Sequence, residues 1–143
     1  MKQGKPLKRG VFKKKGGFKP KYGFKGKVSS MGQIEGNNLN IKPLSVNTCW
    51  QGQRFKTPTY KSYEQEVFYK LPSIYEIPEG ELCLVLIFGV SNKASDIDNC
   101  VKPFQDILQK KYNFNDKMIY ELLVRKQIVK KGEEFIEFLI EAL

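Results

Sequence analysis

The sequence predicts an α+β domain, a single mixed β-sheet with two helices in the order β-α-β-α-β-β, preceded by a disordered basic tail. Three observations carry the prediction. A continuous apolar run from Leu82 to Val90 is bounded by turn residues, as a buried strand requires. Two segments carry helix-start signals, and Met118 to Leu143 is rich in β-branched and aromatic residues. Charge is segregated: residues 1–30 hold 11 Lys/Arg and no Asp or Glu, whereas residues 31–143 hold 14 basic and 15 acidic residues. The excess behind the net charge of +10 therefore sits on one end, the pattern of a chain that reaches a polyanionic partner with a tail.

Residues 1–38 are that tail. From Lys13 to Lys27 the chain reads KKKGGFKPKYGFKGK, too poor in aliphatic residues to offset the entropy of ordering. Phe12, Phe18, Tyr22 and Phe24 can stack on unpaired bases while lysines, among them Lys13, Lys14 and Lys15, neutralise phosphate. A solvated extension that only raises solubility is the other reading. The body, residues 39–143, opens with a strand from Leu39 to Val46, ended by Asn47. Thr48 to Pro58 reads as a loop carrying Trp50, Arg54 and Lys56. A helix starts after Thr57-Pro58, a hydroxyl followed by proline at the first helical position, with Tyr60, Tyr63, Val67 and Leu71 at helical spacing. Pro72 and Pro78-Glu79-Gly80 close that unit, and the buried strand follows. A second helix covers about Asn99 to Tyr112, with Ser95, Asp96 and Asp98 as candidate caps. Met118 to Leu143, split by Lys130-Lys131-Gly132, has the pattern of a β-hairpin.

Composition excludes several chemistries. The absence of histidine removes Ser-His-Asp triads, Cys-His pairs and His-containing zinc sites. Cys49, Cys83 and Cys100 lack C-x-x-C spacing and read as reduced thiols of a cytoplasmic chain. No apolar stretch follows the basic N-terminus as a secretory signal would need, and the run Leu82–Val90 falls far short of the ~20 residues that span a bilayer. Enzyme chemistry here must run on carboxylates, lysine and a metal ion.

The segment Ser95-Asp-Ile-Asp-Asn-Cys-Val-Lys-Pro-Phe-Gln-Asp106 stands out because it leaves the buried strand and enters a helix. Asp96 and Asp98, two apart, project to one side of an extended chain. Lys102 and Asp106 follow Asp98 at i+4 and i+8, on one helix face. Pro103 demands a helix start at Asp98–Cys100 or a kink. Paired carboxylates suit a hard cation such as Mg²⁺, which offsets their mutual repulsion. Asp116, in the turn Asn113-Phe-Asn-Asp116, is the candidate third acid. Ordinary readings stand beside these: a helix cap at Asp96 or Asp98, an exposed Lys102–Asp106 pair, and a turn-forming Asp116.

The pattern D-x-D-N-x-x-K-x-x-x-D, at Asp96, Asp98, Asn99, Lys102 and Asp106, followed by Asn115-Asp116 before the expected β-hairpin, resembles the RusA Holliday-junction resolvases. The stretch from Lys42 to Asn47, through Trp50-Gln-Gly-Gln-Arg-Phe-Lys56 to Tyr60, is similar to the opening of phage members. The resemblance covers about residues 41 to 143. It implies a dimeric, Mg²⁺-dependent endonuclease of DNA recombination and repair, with Mn²⁺ as a substitute, in the cytoplasm of a bacterial or phage-infected cell. Its products would be paired symmetric nicks with 5′-phosphate ends that resolve four-way junctions. By position, Asp96, Asp98 and Asp116 would be the metal-site acids and Lys102 the essential lysine, with Asn99 and Asp106 in support. Asn47, Arg54, Lys56 and the tail lysines are the candidate DNA contacts. One departure is Asn115, where some members have an acid. The rival readings are a non-catalytic nucleic-acid-binding protein and a nuclease preferring flaps or replication forks.

Overall fold

The computed structural model describes residues 36–52 and 55–143; the tail lysines Lys13, Lys14 and Lys15, and Arg54, lie outside the described residues. The architecture is the expected α+β one. A four-stranded mixed sheet has the order β1-β6-β4-β5, with β1 at Asn37–Leu39, β4 at Leu82–Val90, β5 at Ile119–Ile128 and β6 at Phe135–Ala142. A separate two-stranded ribbon pairs β2 (Trp50–Gln51) with β3 (Phe55–Lys56) inside the segment expected to be loop. Among the described residues, no helix is long and apolar enough to cross a membrane.

Strand β4 organises the domain. It runs parallel to β5 and antiparallel to β6, so both its edges are hydrogen-bonded. All nine of its residues are buried, which accounts for the unbroken apolar run. This placement corrects the expected C-terminal hairpin: β5 and β6 are not neighbours, because β4 lies between them. Pairing β5 directly with β6 would leave the most apolar strand at an exposed edge. The six residues from Val129 to Glu134 carry the chain past the end of β4, held by a bond from the Val129 N–H to the Val90 carbonyl. Phe135 then lies across Gly89, where any Cβ would collide with its ring.

The first strand also differs from expectation. It occupies Asn37–Leu39 rather than Leu39–Val46, and pairs with β6. Pro43 cannot donate to a ladder, and Ser45 instead caps a 3-10 turn at Val46–Thr48 by accepting from the Asn47 N–H.

Two helices cover one face of the sheet. Helix α1 (Pro58–Lys70) starts as its sequence indicated, with the Thr57 hydroxyl accepting from the Tyr60 N–H and Pro58 in the first turn. It buries Tyr60, Tyr63 and Val67. Helix α2 (Val101–Tyr112) buries Pro103, Phe104, Ile107 and Leu108, a stripe at i, i+3 and i+4 spacing. Phe104 is fully buried, with its ring centroid 6.3 Å from Phe88 and 5.8 Å from Phe138. That anchor turns Lys102 and Asp106 to the helix's other side. Pro103 falls in the first turn, where its missing N–H leaves no helical bond unmade.

Candidate active site

Strand β4 ends at Val90, and residues 91–100 lead from its end into α2. Three backbone hydrogen bonds shape this stretch: Ser95 N–H to the Asn92 carbonyl, Asn99 N–H to the Asp96 carbonyl, and Val101 N–H to the Asp98 carbonyl. The helix begins at Val101, so Asp98 precedes it and does not share a helix face with Lys102 and Asp106, a correction to the expected line. The N-cap is Cys100, and it makes no side-chain capping bond. Neither Asp96 nor Asp98 is therefore the cap of α2. Both are exposed, and Asp96 meets the Asn99 side-chain amide at 3.4 Å.

Lys102 is the centre of a charged cluster. Its Nζ lies 2.9 Å from Asp106 Oδ1 and 3.5 Å from Asp116 Oδ2. The hydrogen bond to Asp106 raises the lysine's pKa above its ordinary value; burial opposes this, and the charges of Asp106 and Asp116 add to the rise. The ammonium therefore stays charged throughout the physiological range. Asp116 reaches it because Asn113 adopts a left-handed conformation (φ 55°) that ends α2 and reverses the chain. The Asn115 side chain then caps the 3-10 turn Asp116–Met118 by accepting from the Lys117 N–H. An Asp accepts at such a position equally well, so the departure at Asn115 leaves this turn's capping intact.

Sequence reasoning missed two residues here. Gln109 donates to Asp106 Oδ1 (3.3 Å) and accepts from the Asp116 N–H (3.1 Å), tying both acids to α2. Its i+3 spacing from Asp106 was the available signal. Lys126 donates to the carbonyls of Ser95 (2.6 Å) and Lys93 (3.2 Å), fixing the loop just before Asp96. Bonds to backbone carbonyls leave no mark in a sequence.

The expected opening stretch does come to this end of the sheet. The Val46 N–H bonds to the Asn99 carbonyl at 2.7 Å. A cleft of about 340 Å³ lies between the two segments, lined by Lys42, Ser45, Thr48, Asn92, Asp96 and Asn99 among others. Asn47 is exposed beside it. Lys56 is placed differently, with its Nζ 2.9 Å from both Glu64 oxygens and 5.2 Å from the Tyr60 ring centre. Lys110 shares the same Glu64 carboxylate at 2.9 Å, so this trio clasps α1 to α2. Burial opposes ionisation of Glu64, but the two lysine hydrogen bonds outweigh it and hold its pKa below the ordinary value.

Asp96 and Asp98 are exposed carboxylates and Asp116 is a partly buried one, a donor set whose chemistry fits a hard divalent cation. They are not gathered: among the described residues, no three acidic or thiol side chains form a ready metal cluster. Like charges do not converge unaided, and here Lys102 supplies the positive charge that draws Asp106 and Asp116 together. A scan against protein-family models matches none, and a search of curated proteins finds no match.

Proposed function

We propose that the chain is a Mg²⁺-dependent, structure-selective DNA endonuclease that resolves four-way junctions by paired nicks, in recombination and repair. The supporting observation is the position of Lys102. A charged ammonium shared by Asp106 and Asp116 sits at the open start of α2, just after two exposed acids not used as its caps. This is the arrangement that the resemblance to RusA resolvases assigns to catalysis, although Asp106 and Gln109 also give the lysine a structural setting.

Asp96, Asp98 and Asp116 would hold the cation, Mg²⁺ or Mn²⁺, whose chemistry is to polarise phosphate oxygen and make bound water acidic. The remaining tasks belong to the chain. Lys102 presents a fixed positive charge to phosphate oxygens as negative charge grows on them. Asp106 and Gln109 aim that ammonium, and Lys126 holds the loop that presents Asp96. The cleft between Lys42 and Asn99, with exposed Asn47 at its side, is a surface for the DNA backbone. A four-way junction offers two equivalent strands, so the active species is a two-fold homodimer acting in the cytoplasm.

The test is cleavage of end-labelled four-way, flap, fork and linear DNA with Mg²⁺, competed in one reaction. Symmetric nicking of the four-way form first is the expected result. Preference for flaps or forks would reassign the substrate, and tight binding without any cleavage would make the chain a binding protein.

A further inference from the structure

The C-terminal halves of the two helices flank an open groove of about 600 Å³, lined by Glu64, Gln65, Phe68, Tyr69, Lys110 and Lys111. Helical spacing sorts the α1 side into two stripes. Glu64 and Phe68 turn towards α2, whereas Lys61, Gln65 and Tyr69, four apart, are exposed. Glu64 is the acid among the lining residues, and Lys56 and Lys110 already share its carboxylate at 2.9 Å. Glu66 does not line the groove and pairs with Lys70 at 3.8 Å. The local balance is therefore positive, with Lys56, Lys61, Lys110 and Lys111 set against Glu64. The aromatic side is open too. Tyr69 is 89% exposed and Phe68 38%. Lys111 donates to the Phe68 carbonyl at 2.9 Å, with its Nζ 5.0 Å from the centre of the Phe68 ring. That bond satisfies one of the carbonyls left unpaired at the end of α1. Nothing in this structural role needs the open ring of Tyr69.

We propose that this groove binds an unpaired stretch of DNA, with a base stacked on Tyr69 and Phe68 and phosphates at Lys61, Lys110 and Lys111. Chemistry supports it, because an open ring offers its π-face to any base while neighbouring ammonium groups meet the backbone. Position supports it as well. Lys110 lies about two helical turns after Lys102, ~12 Å along α2. A strand rising ~3.4 Å per nucleotide covers that span in about three to four nucleotides. One strand can therefore lie on Lys102 and in the groove at once. A duplex fits less well, since its base faces are already stacked on one another. An acidic protein segment would meet the lysines and leave both rings unused. The site deepens the reading of a DNA-acting chain and rests on it, but it is tested by binding without metal.

The experiment uses the full chain and a thymidine oligonucleotide of about twelve nucleotides carrying 5-iodouracil, a photoreactive base that joins to an aromatic ring stacked on it. Irradiation followed by mass spectrometry of tryptic peptides should place the cross-link on Phe68 or Tyr69. Fluorescence anisotropy, in ~0.2 M salt to weaken non-specific lysine contacts, should show affinity lowered about fivefold or more by Tyr69→Ala. Tyr69→Phe keeps the ring and should bind as the natural chain does. A side chain so exposed can be removed without disturbing the fold, so melting should not change. Lys111→Gln should flatten the salt dependence by ~0.7 in slope, the value for one single-strand phosphate contact. Cross-links on other residues only, full affinity in Tyr69→Ala, or equal cross-linking of Tyr69 by the same strand in a duplex would each overturn the assignment, the last in favour of double-stranded DNA. Junction cleavage without these groove signals would sink the groove and leave the nuclease reading standing. Groove binding without any cleavage would do the reverse.

Discussion

Replacing Lys102 with alanine separates a structural lysine from a catalytic one, because the structure bounds the structural effect. The Lys102 side chain is 58% exposed, and its partners Asp106 and Asp116 are 30% and 36% exposed. Ion pairs so open to solvent contribute at most about 1 kcal/mol, and the helix stays anchored through Phe104, Ile107 and Leu108. Thermal melting should therefore fall by no more than about 4–8 °C. The chemical effect should be far larger: removing one fixed charge that meets developing phosphate charge lowers rates by ~10²–10³. Single-turnover cleavage of a labelled four-way junction under saturating protein isolates that step from binding. Lys102→Arg should recover little, since a planar guanidinium matches neither the reach nor the shape of the ammonium held by Asp106 and Asp116. A near-natural rate for Lys102→Ala, with a melting shift in the stated range, would refute the catalytic assignment and leave Lys102 as an ion-pair partner.

Asp96→Asn, Asp98→Asn and Asp116→Asn should each abolish cleavage while junction binding, followed by gel shift without metal, holds or tightens as negative charge is removed. Lys126→Ala frees the Ser95 and Lys93 carbonyls, so hydrogen exchange across residues 92–98 should speed up and cleavage should slow, with melting little changed. Glu64→Gln weakens the clasp with Lys56 and Lys110 and should cost about 1 kcal/mol near neutral pH, seen by denaturant unfolding. Because the folded pKa of Glu64 lies below its ordinary value of 4.5, that contribution is fully present above about pH 4.5 and lost as pH falls through the folded value. The gap between natural and variant stability should close in that acid range.

Local chemistry was the legible part of this fold. Thr57-Pro58 announces a helix because the cap and the proline act within one turn, and Leu82–Val90 announces a strand buried on both faces through composition alone. Strand order was not legible. The β5 and β6 segments look like a hairpin from their spacing, and only the need to cover both edges of β4 separates them. The site divides similarly. The Lys102–Asp106 contact follows from i+4 spacing, whereas Lys102–Asp116 depends on the left-handed turn at Asn113 that brings a distant carboxylate back. Asp98 was expected to cap or open the helix, two residues before the actual N-cap, because Cys100 is a residue with no capping tendency. Lys56 read as a DNA contact because a sequence does not show Glu64 beside it.

The measurement closest to the central claim is metal-dependent cleavage by the natural chain and Asp98→Asn, run side by side on one four-way junction, with Mg²⁺ titrated against a chelator. Asp98 is exposed, lies outside α2 and is not its cap, so its loss should leave the fold unchanged. The account predicts paired, symmetric nicks from the natural chain that rise with Mg²⁺ and vanish with chelator, and none from Asp98→Asn although it binds the junction. Equal cleavage by both proteins, or none by either at any Mg²⁺ concentration, would contradict it.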